Sequence, residues 1–495
     1  MSRKKTPSFV TEIPLIVTPS QESALNKRFE AARQVYNACL GEALKRLDLM
    51  RQSKTWQKAR KMPKGKAKTK AFREVNEHFG FRKYDLHAYA KQFGYSWLGH
   101  HLDSQTVKQL ASRAFTWVEQ YLFDRDRGRP RFKRYGTLNA VESANNLQGI
   151  IWRNSQVIWN AGRHGKKLVI DAIIDFKDLV LLHGLECRVK YVRLVRRRLN
   201  GKTRFYAQLV NEGKPYRRFE MGEGVVGLDI GPSTVAVVGD DAARLLQFCD
   251  KLKNIQKEIK RLQRKRDRQQ RGNNPNNYEP DWWEYPKGQK SRLKRGKIRS
   301  GPKHWVKSNK QCETEKKLAE LQRRQAEHRK SLHGHLINQI LQMCDTVKME
   351  KLSYKAFQRM FGKSVGMRAP GMFVERLRQK MGDAGGLVEE FSTYNTKLSQ
   401  RCHGCGQVVK KPLSQRWHKC ECGVTAQRDL YSAFLAMCVE DGEFNAPLAD
   451  EQWQGLGPVL RAALKDLQTG DGRALPASFG VRSRSQSSGM MSDGN

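Results

Sequence analysis

Residues 225–240 read VVGLDIGPSTVAVVGD. The first apolar run leads up to Asp229, and a second run, TVAVV, follows a turn that contains Gly231 and Pro232. Nearly continuous apolar runs of this length predict strands that are buried on both faces. Glycine and proline between them predict a tight turn. The stretch therefore predicts two neighbouring buried strands of a mixed α/β domain, with a carboxylate late in the first one.

Two further acids occupy comparable positions later in the chain. A long amphipathic helix is predicted around 315–343, and it leads into DTVKMEKLSY, a predicted strand that carries Glu350. A helix near 373–383 precedes another strand, GLVEEFSTYN, and RDLYSAFLAMC predicts a helix that begins at Asp429. Strand, helix and strand thus recur, and the acids are spread over two strands and one helix.

Phosphodiester cleavage by two metal ions needs several carboxylates within about 4 Å, because magnesium takes oxygen ligands. Carboxylates from separate strands and a helix can converge in this way, so Asp229, Glu350 and Asp429 are candidates for such a set. The alternative is that each acid is an ordinary surface acid or helix cap. For Asp429 that alternative is a favourable charge at a helix N-terminus.

The N-terminal half has a different texture. Residues 8–17 predict a strand, the chain from about 21 predicts an amphipathic helix, and 104–122 predict a second helix. Between the helices, KARKMPKGKAKTK is predicted to be a flexible basic loop. From 129 to 215, short runs such as KKLVIDAIIDF, LVLLHGLECRVKYVRLV and TRFYAQLVN predict a small β-barrel.

The charge of the chain indicates a polyanionic partner. Lysine and arginine number 93 against 49 acids, a formal charge of +44, which is typical of nucleic-acid binding. A membrane-surface protein is the rival, but no run of about 18 apolar residues and no signal peptide is present. We therefore expect a cytoplasmic protein. The candidate phosphate contacts are Arg129, Arg131 and Lys133 in GRPRFKR and Arg261 and Lys265 in KRLQRKRDRQQR, with solvated basic segments as the alternative.

Four of the ten cysteines are clustered, as CHGC at 402–405 and CEC at 420–422. In an intracellular chain such a cluster favours a metal over disulfides. We expect Cys402, Cys405, Cys420 and Cys422 to bind one structural Zn²⁺ tetrahedrally. Because the second pair is C-x-C, His418 or His403 remains an alternative fourth ligand, and four unliganded structural thiols are the other possibility.

Taken in order, GLDIGPSTVAVV, VKMEKLSY, STYNTKLSQRCHGCG and QRDLYSAF resemble the three RuvC motifs and the zinc element of the transposon-encoded TnpB (OrfB) family. Type V CRISPR effector nucleases share these motifs. The resemblance covers most of 220–440. It implies that Asp229, Glu350 and Asp429 are the three motif acids, which would be catalytic and hold two Mg²⁺ ions. The chain departs from the family where Gln427 replaces an aspartate and Tyr431 replaces an asparagine.

The resemblance also implies the architecture, a multidomain α+β and α/β protein. It comprises an RNase H-like (RuvC) nuclease domain with an inserted zinc ribbon, an N-terminal helical recognition lobe and a small β-barrel wedge domain. The expected boundaries are a wedge at 1–20 and 125–215, a recognition domain at 21–124, and a nuclease domain at 216–400 and 424–440 with a basic helical insertion at 251–330. A zinc ribbon at 401–423 and a C-terminal helix with a disordered tail at 441–495 complete the chain.

The implied function is an RNA-guided DNA endonuclease of the TnpB type. Guide RNA and target double-stranded DNA would be its partners, and cleavage would occur next to a short flanking motif. A compact type V CRISPR effector is the close alternative, and a guided DNA binder with weak or no cleavage is a third. A strand-transfer transposase is disfavoured because no HUH motif or tyrosine nucleophile signature is present. A monomer is favoured over an oligomer.

Overall fold

The computed structural model describes residues 6–124, 126–162, 165–285, 288, 290–412, 414–469 and 477–480. The chain forms two compact units, Met1–Tyr216 and Arg217–Asn495. No helix within the described residues is both long enough and apolar enough to cross a membrane. Most of the tail that was predicted to be disordered after about 470 lies outside the described residues.

The first unit is built on one long helix. Its start is fixed by a capping box, in which the Thr18 hydroxyl accepts from the Gln21 backbone N–H and the Gln21 side chain accepts from the Thr18 N–H. Pro19 at the first helical position needs no hydrogen-bond donor. The helices of this unit are α1 (Pro19–Gln52), α2 (Lys54–Lys61), α3 (Lys66–His78), α4 (Lys83–Ala90), α5 (Ser104–Phe123) and α6 (Leu179–Glu186).

Seven strands form the sheet of the first unit. They are β1 (Ser8–Ile16), β2 (Ala140–Glu142), β3 (Ile150–Arg153), β4 (Gln156–Trp159), β5 (Leu168–Ala172), β6 (Val189–Leu199) and β7 (Lys202–Glu212). Their order is β2-β6-β7-β1-β5-β4-β3. The Ser143 hydroxyl lies 2.9 Å from the Ile150 carbonyl and 3.4 Å from the Val192 carbonyl, so it joins the β3 end of this order to β6. The sheet is therefore curled toward closure.

Two predictions for the first unit are wrong. The basic segment predicted to be a loop contains α2 and α3, because Ser53 caps the first of them and lysines are good helix formers. Pro63 and Gly65 only separate these helices. The apolar run LVLLHGLE, predicted to be β-structure, is helix α6, which begins where the Asp178 side chain accepts from the Val180 N–H.

The second unit has a five-stranded sheet in the order β10-β9-β8-β13-β14. Strands β8, β9 and β10 are antiparallel neighbours, while β13 and β14 run parallel to β8. All the strands of this unit are β8 (Val225–Ile230), β9 (Thr234–Val238), β10 (Ala243–Gln247), β11 (Trp282–Glu284), β12 (Arg292–Lys294), β13 (Thr346–Glu350), β14 (Leu387–Phe391), β15 (Trp417–Lys419), β16 (Thr425–Gln427), β17 (Val439–Glu440) and β18 (Glu443–Phe444).

Helices cover both faces of this sheet. The α-helices described in the second unit are α7 (Lys253–Asn273), α8 (Asn309–Leu341), α9 (Tyr354–Arg368), α10 (Pro370–Ala384), α11 (Thr393–Thr396), α12 (Arg428–Met437) and α13 (Ala446–Thr469). One face packs Val226, Leu228 and Ile230 with residues of α8 and α10. The other face packs Ala236 and Val238 with residues of α12 and α13. The second face is the one that carries the candidate site.

The predicted strands at 225–231 and 234–240 and the predicted strand with Glu350 are confirmed. The helix predicted from Asp429 begins one residue earlier, at Arg428. The segment predicted to be a loop between basic helices, RGNNPNNYEPDWWEYPKGQK, instead contributes β11 of a small antiparallel hairpin. Strand β10 was not predicted, because its sequence ARLLQ shows neither alternation nor turn signals.

Candidate functional site

Two of the three predicted acids lie side by side on the five-stranded sheet. Leu228 of β8 is the register partner of Met349 on the parallel strand β13, and Asp229 and Glu350 are the next residues of their strands. Leu228 and Met349 belong to the core on the α8–α10 face. Since side chains alternate along a strand, Asp229 and Glu350 point to the opposite face, where α12 packs. Adjacent strands lie only about 4.8 Å apart, so the two carboxylates are neighbours.

The third acid comes from α12, which approaches β8 unusually closely. A Cβ added to Gly227 would lie 1.9 Å from the Ala433 carbonyl oxygen, so only glycine permits this contact. Asp429 is buried in the first turn of α12. The Thr234 hydroxyl at the start of β9 donates to its Oδ2 at 3.1 Å. The helix and the turn after β8 thus bring Asp429 to the acids of the sheet.

The surroundings of the two sheet acids, Asp229 and Glu350, disfavour their ionised forms. Burial raises the pKa of Asp229 well above its usual range, and the charges of Asp429 and Glu350 raise it further. Arg428 and Arg416 act in the opposite direction. Burial also raises the pKa of Glu350, against a backbone N–H from Leu398 and a hydroxyl contact from Thr396 at 3.5 Å. Such a group of buried acids is stabilised by added positive charge.

A small cavity of about 10 Å³ lies at the two sheet acids, and its lining residues are Leu228, Asp229, Ile230, Met349, Glu350, Leu352, Leu398 and Ser432. That volume is close to the minimum for a single water molecule. Within the described part of the chain, the buried Ser432 hydroxyl has no hydrogen-bond partner. An orphan hydroxyl beside oxygen ligands fits a site for hydrated cations, so the donor set is suited to magnesium.

The acids nevertheless do not form a compact ligand cluster. Among the described residues, the four clustered cysteines are the group whose ligand atoms all lie within 4.8 Å of one another, and the three carboxylates do not form such a group. The structure therefore brings Asp229 into electrostatic contact with Glu350 and Asp429.

The thiols of Cys402, Cys405, Cys420 and Cys422 converge as predicted. The Cys402 and Cys422 Sγ atoms lie 3.5 Å apart, and the Cys405 and Cys420 Sγ atoms lie 3.3 Å apart. Both distances far exceed a disulfide bond of about 2.05 Å. They approach the separation of about 3.8 Å that tetrahedral Zn–S bonds of about 2.3 Å require. The cluster is therefore suited to a structural Zn²⁺.

Two tight turns present these thiols. The Cys402 carbonyl accepts from the Gly406 N–H at 3.1 Å, and the Cys420 carbonyl accepts from the Gly423 N–H at 3.0 Å. Both glycines have positive φ, which closes each turn without strain. The turn from Cys420 to Gly423 begins directly after β15 and accommodates the C-x-C spacing of the second pair.

The two histidines that were alternative zinc ligands have other partners. The His403 Nδ1 and backbone N–H both lie within hydrogen-bonding distance of the Tyr431 hydroxyl, at 2.6 and 2.9 Å. His418 Nδ1 lies 2.5 Å from the Lys411 Nζ, and its ring lies 4.4 Å from the Tyr431 ring. Neither histidine belongs to the metal-binding group. The four cysteines are thus the ligand set that the structure supports.

The two departures from the family pattern have structural roles that the sequence did not reveal. The Gln427 side chain accepts from the Leu430 N–H at 2.8 Å and so caps α12. Tyr431 is buried in the core under the cysteine turns. Its hydroxyl ties the turn after Cys402 to the helix that carries Asp429. The contact between Tyr431 and His403 could not be predicted from the sequence, because the two residues are far apart in the chain.

The predicted phosphate contacts differ in their surroundings. Both terminal nitrogens of Arg129 are bonded to Asp48, at 3.1 and 2.7 Å, so its charge is already paired. Arg131 is exposed, and Lys133 is half-buried with its backbone bonded to Asn37. Arg261 lies 3.5 Å from Glu258, and Lys265 is exposed on α7. Among the described residues, Arg131 and Lys265 are thus exposed and form no ion pair, whereas Arg129 and Arg261 are paired.

Residues 371–435 match the family model described as Cas12f1-like, TNB domain, and this stretch includes all four cysteines and Asp429. A solved structure described as "Cryo-EM structure of the Cas12f1-sgRNA-target DNA complex" is similar with a TM-score of 0.47 and 12% identity, over 87% of this chain and 98% of that chain. Another, "Cryo-EM structure of CRISPR-Cas12f Ternary Complex", has a TM-score of 0.30 and 13% identity, over 86% and 83% of the two chains. No curated protein matches the chain.

Proposed function

We propose that the protein is an RNA-guided DNA endonuclease of the TnpB/Cas12f type, with an RNase H-like (RuvC) domain in its second unit. The observation that supports cleavage most directly is the burial of Asp229 beside two further acids from a parallel neighbouring strand and a closely packed helix. A structural role does not explain such a group, because like charges buried together destabilise the fold. A function that requires bound cations does explain it.

In this proposal Asp229, Glu350 and Asp429 would hold two magnesium ions, whose chemistry would be the activation of a water and the stabilisation of the leaving 3′ oxygen. The protein's own residues position the ligands. Thr234 fixes one oxygen of Asp429, and Leu398 and Thr396 orient Glu350. Arg428 and Arg416 favour the ionised form of Asp229. The cysteine cluster with its zinc holds the turn that Tyr431 joins to α12, so it keeps Asp429 in place.

The remaining parts of the proposal concern the partners. A formal charge of +44 suits a protein that holds a guide RNA and a target duplex together. The wedge and recognition roles belong to the first unit, whose curled sheet and helices are candidates for the guide and for the short flanking motif. The match of residues 371–435 to a Cas12f1-like domain supports the zinc element. A TnpB-type nuclease and a compact type V CRISPR effector would both have this element. A transposon RNA and a CRISPR RNA are distinguished by sequencing the RNA that copurifies with the protein.

A binder without cleavage is the second candidate, favoured by Tyr431 in place of the family's asparagine. The substitution Asp229→Asn separates the candidates. It keeps the size of the side chain but removes a charge that repels Asp429 and Glu350. We expect magnesium-dependent cleavage of a guide-matched DNA to fall by at least about a hundredfold, as for a lost metal contact. Guide-dependent DNA binding should stay within about threefold of the wild type.

The stability of the same variant tests the electrostatic argument. Without magnesium, Asp229→Asn should unfold at an equal or higher temperature than the wild type, because repulsion is relieved. Asp241→Asn, an exposed acid of the same unit, is the control and should leave cleavage unchanged. A wild type that binds guide and target but never cuts would favour the binder. A variant that loses binding, cleavage and stability together would make Asp229 a structural residue.

A further inference from the structure

The basic insertion of the second unit is an ordered arm that ends in a hairpin. Helices α7 and α8 pack through Ile259, Leu262 and Leu318, and the chain between them forms β11 and β12. A two-stranded hairpin is rarely stable by itself, so its base needs support. This base lies far along the chain from the three acids and from the cysteine cluster.

The base of the hairpin is held by specific contacts. The buried Asn274 side chain accepts from the Val306 N–H at 2.7 Å and donates to the Val306 carbonyl at 2.9 Å. The Arg271 guanidinium lies 4.3 Å from the centre of the Tyr278 ring, and Tyr278 pairs with Ile298. Gly296 packs so closely that an added Cβ would lie 1.7 Å from the Glu279 carbonyl oxygen. The hairpin is therefore a rigid platform.

The tip of this platform exposes large aromatic rings. Trp282 is 52% exposed, Trp283 is 55% exposed and Tyr285 is 77% exposed. Trp282 pairs with Lys294 and Trp283 with Leu293, so alternation directs the two tryptophans to opposite faces of the hairpin. Indole rings are normally among the most buried side chains, and exposed ones on a fixed scaffold mark an interaction site.

The positive charge around these rings indicates which class of molecule the hairpin would bind. Residues 278–308 contain nine lysines and arginines and three acids, a net charge of +6. Two of the three acids are engaged within the hairpin, Glu284 with Arg292 and Lys294, and Asp281 with Arg295. Aromatic faces among surplus cations fit a polyanion whose bases can stack. They fit a double helix poorly, because its bases are already stacked on one another.

We infer that the hairpin tip binds single-stranded nucleic acid, with unpaired bases stacked on Trp282 and Trp283 and the backbone phosphates near the surrounding lysines and arginines. The site is separate from the carboxylates, and the inference does not depend on cleavage. It assigns the insertion a role in holding a strand that is not base-paired.

The test uses the full chain in magnesium-free buffer and a 15-nucleotide oligothymidylate in which some bases are 5-bromouracil. Irradiation should crosslink the probe to a peptide within 278–308, identified by mass spectrometry, even where other basic surfaces also bind. Two paired variants then separate stacking from apolar contact. W282F/W283F should retain the crosslink, whereas W282L/W283L should reduce its yield by about tenfold or more.

Phe123→Ala, which removes another exposed aromatic ring, is the control and should leave the crosslink unchanged. Duplex DNA of the same length should compete at least tenfold less well than the single strand. No crosslink in 278–308, or an equal yield from the leucine and phenylalanine variants, would overturn the inference and assign the tip to a protein or membrane partner.

Discussion

Tyr431 is the residue that most clearly links the zinc element to the candidate catalytic acids. It lies two residues after Asp429 on α12, and its hydroxyl contacts both the backbone N–H and the ring of His403, next to Cys402. His403 is itself buried. Any displacement of the cysteine turn is therefore transmitted to the first turn of α12.

The substitution Tyr431→Phe tests this link. It removes the hydroxyl and leaves a buried N–H unsatisfied, at a cost of about 1–3 kcal/mol. We expect faster amide hydrogen exchange in residues 402–406 and in the first turn of α12, while the wild type and the variant both retain one zinc per chain by elemental analysis.

Tyr354→Phe is the matched control. Within the described residues, the buried Tyr354 hydroxyl has no hydrogen-bond partner, so its loss should be neutral or slightly stabilising. Equal exchange behaviour in both variants would show that the contact between Tyr431 and His403 contributes nothing to the order of the site.

The packing of α12 on β8 is the element-scale feature on which the carboxylate site depends. Gly227 of β8 allows the close approach of α12, and Ala433 of α12 presents only its carbonyl and a methyl group at the contact. The position of Asp429 depends on this approach. The Lys348 ammonium also contacts the Met437 and Val439 carbonyls at 3.2 and 2.6 Å, which fixes the other end of the helix.

We predict that Gly227→Ala displaces α12 from the sheet. The new methyl group would overlap the Ala433 carbonyl, and overpacking of this kind costs about 1–3 kcal/mol. Thermal unfolding should occur at a lower temperature, and magnesium-dependent cleavage should fall further than stability alone explains, because Asp429 moves away from Asp229.

Gly366→Ala provides the comparison, since an added Cβ there meets nothing within 4 Å and the residue lies in helix α9. It should raise stability by about 0.5–1 kcal/mol and leave cleavage unchanged. A Gly227→Ala protein with wild-type stability and cleavage would contradict the assigned contact between α12 and β8.

The net charge is the property of the whole molecule with the clearest consequence. A formal charge of +44 predicts that binding of nucleic acid without sequence preference is dominated by phosphate contacts. The logarithm of the binding constant for a random duplex should fall linearly with the logarithm of the salt concentration. Between 50 and 200 mM salt the affinity should decrease by about 10³-fold or more.

Fluorescence anisotropy over a salt series measures this slope, with Arg131→Ala and Lys265→Ala as the informative single variants. If its side chain contacts a phosphate, each substitution should reduce the magnitude of the salt slope by about one, because one phosphate contact is lost. Arg129→Ala is the contrasting case, because the pairing of Arg129 with Asp48 leaves it little charge to offer. A salt-independent affinity would remove the basis for a polyanionic partner.

Much of the local structure was predictable from the sequence. Apolar runs of limited length identified β8, β9 and β13, and helical spacing identified α1, α5 and α8, because both signals depend on neighbours in the chain. The cysteine spacing identified the metal-binding group. The predictions failed where local preference is ambiguous: LVLLHGLE suits both a strand and a helix, and the lysines of α2 and α3 suit both a loop and a helix.

The sequence predicted the three candidate acids, whose role as metal ligands stays a prediction, but it did not predict the contacts that position them. The sequence could place Asp229, Glu350 and Asp429 at the ends of elements, and the resemblance to a family grouped them. It could not show the close approach of α12 at Gly227 or the bond from Thr234. The domain roles and the nucleic-acid contacts stay predictions.

Composition and periodicity by themselves predicted a polyanionic partner, the position of each acid on its strand or helix, and the set of four thiols, since these follow from residue type and local spacing. Only the tertiary structure decided which side chains meet. In the structure His403 contacts the Tyr431 hydroxyl and is not part of the zinc-ligand set, and Trp282 and Trp283 are exposed on the hairpin. Such outcomes depend on the packing of segments distant in sequence, where the energy of a contact is set by geometry.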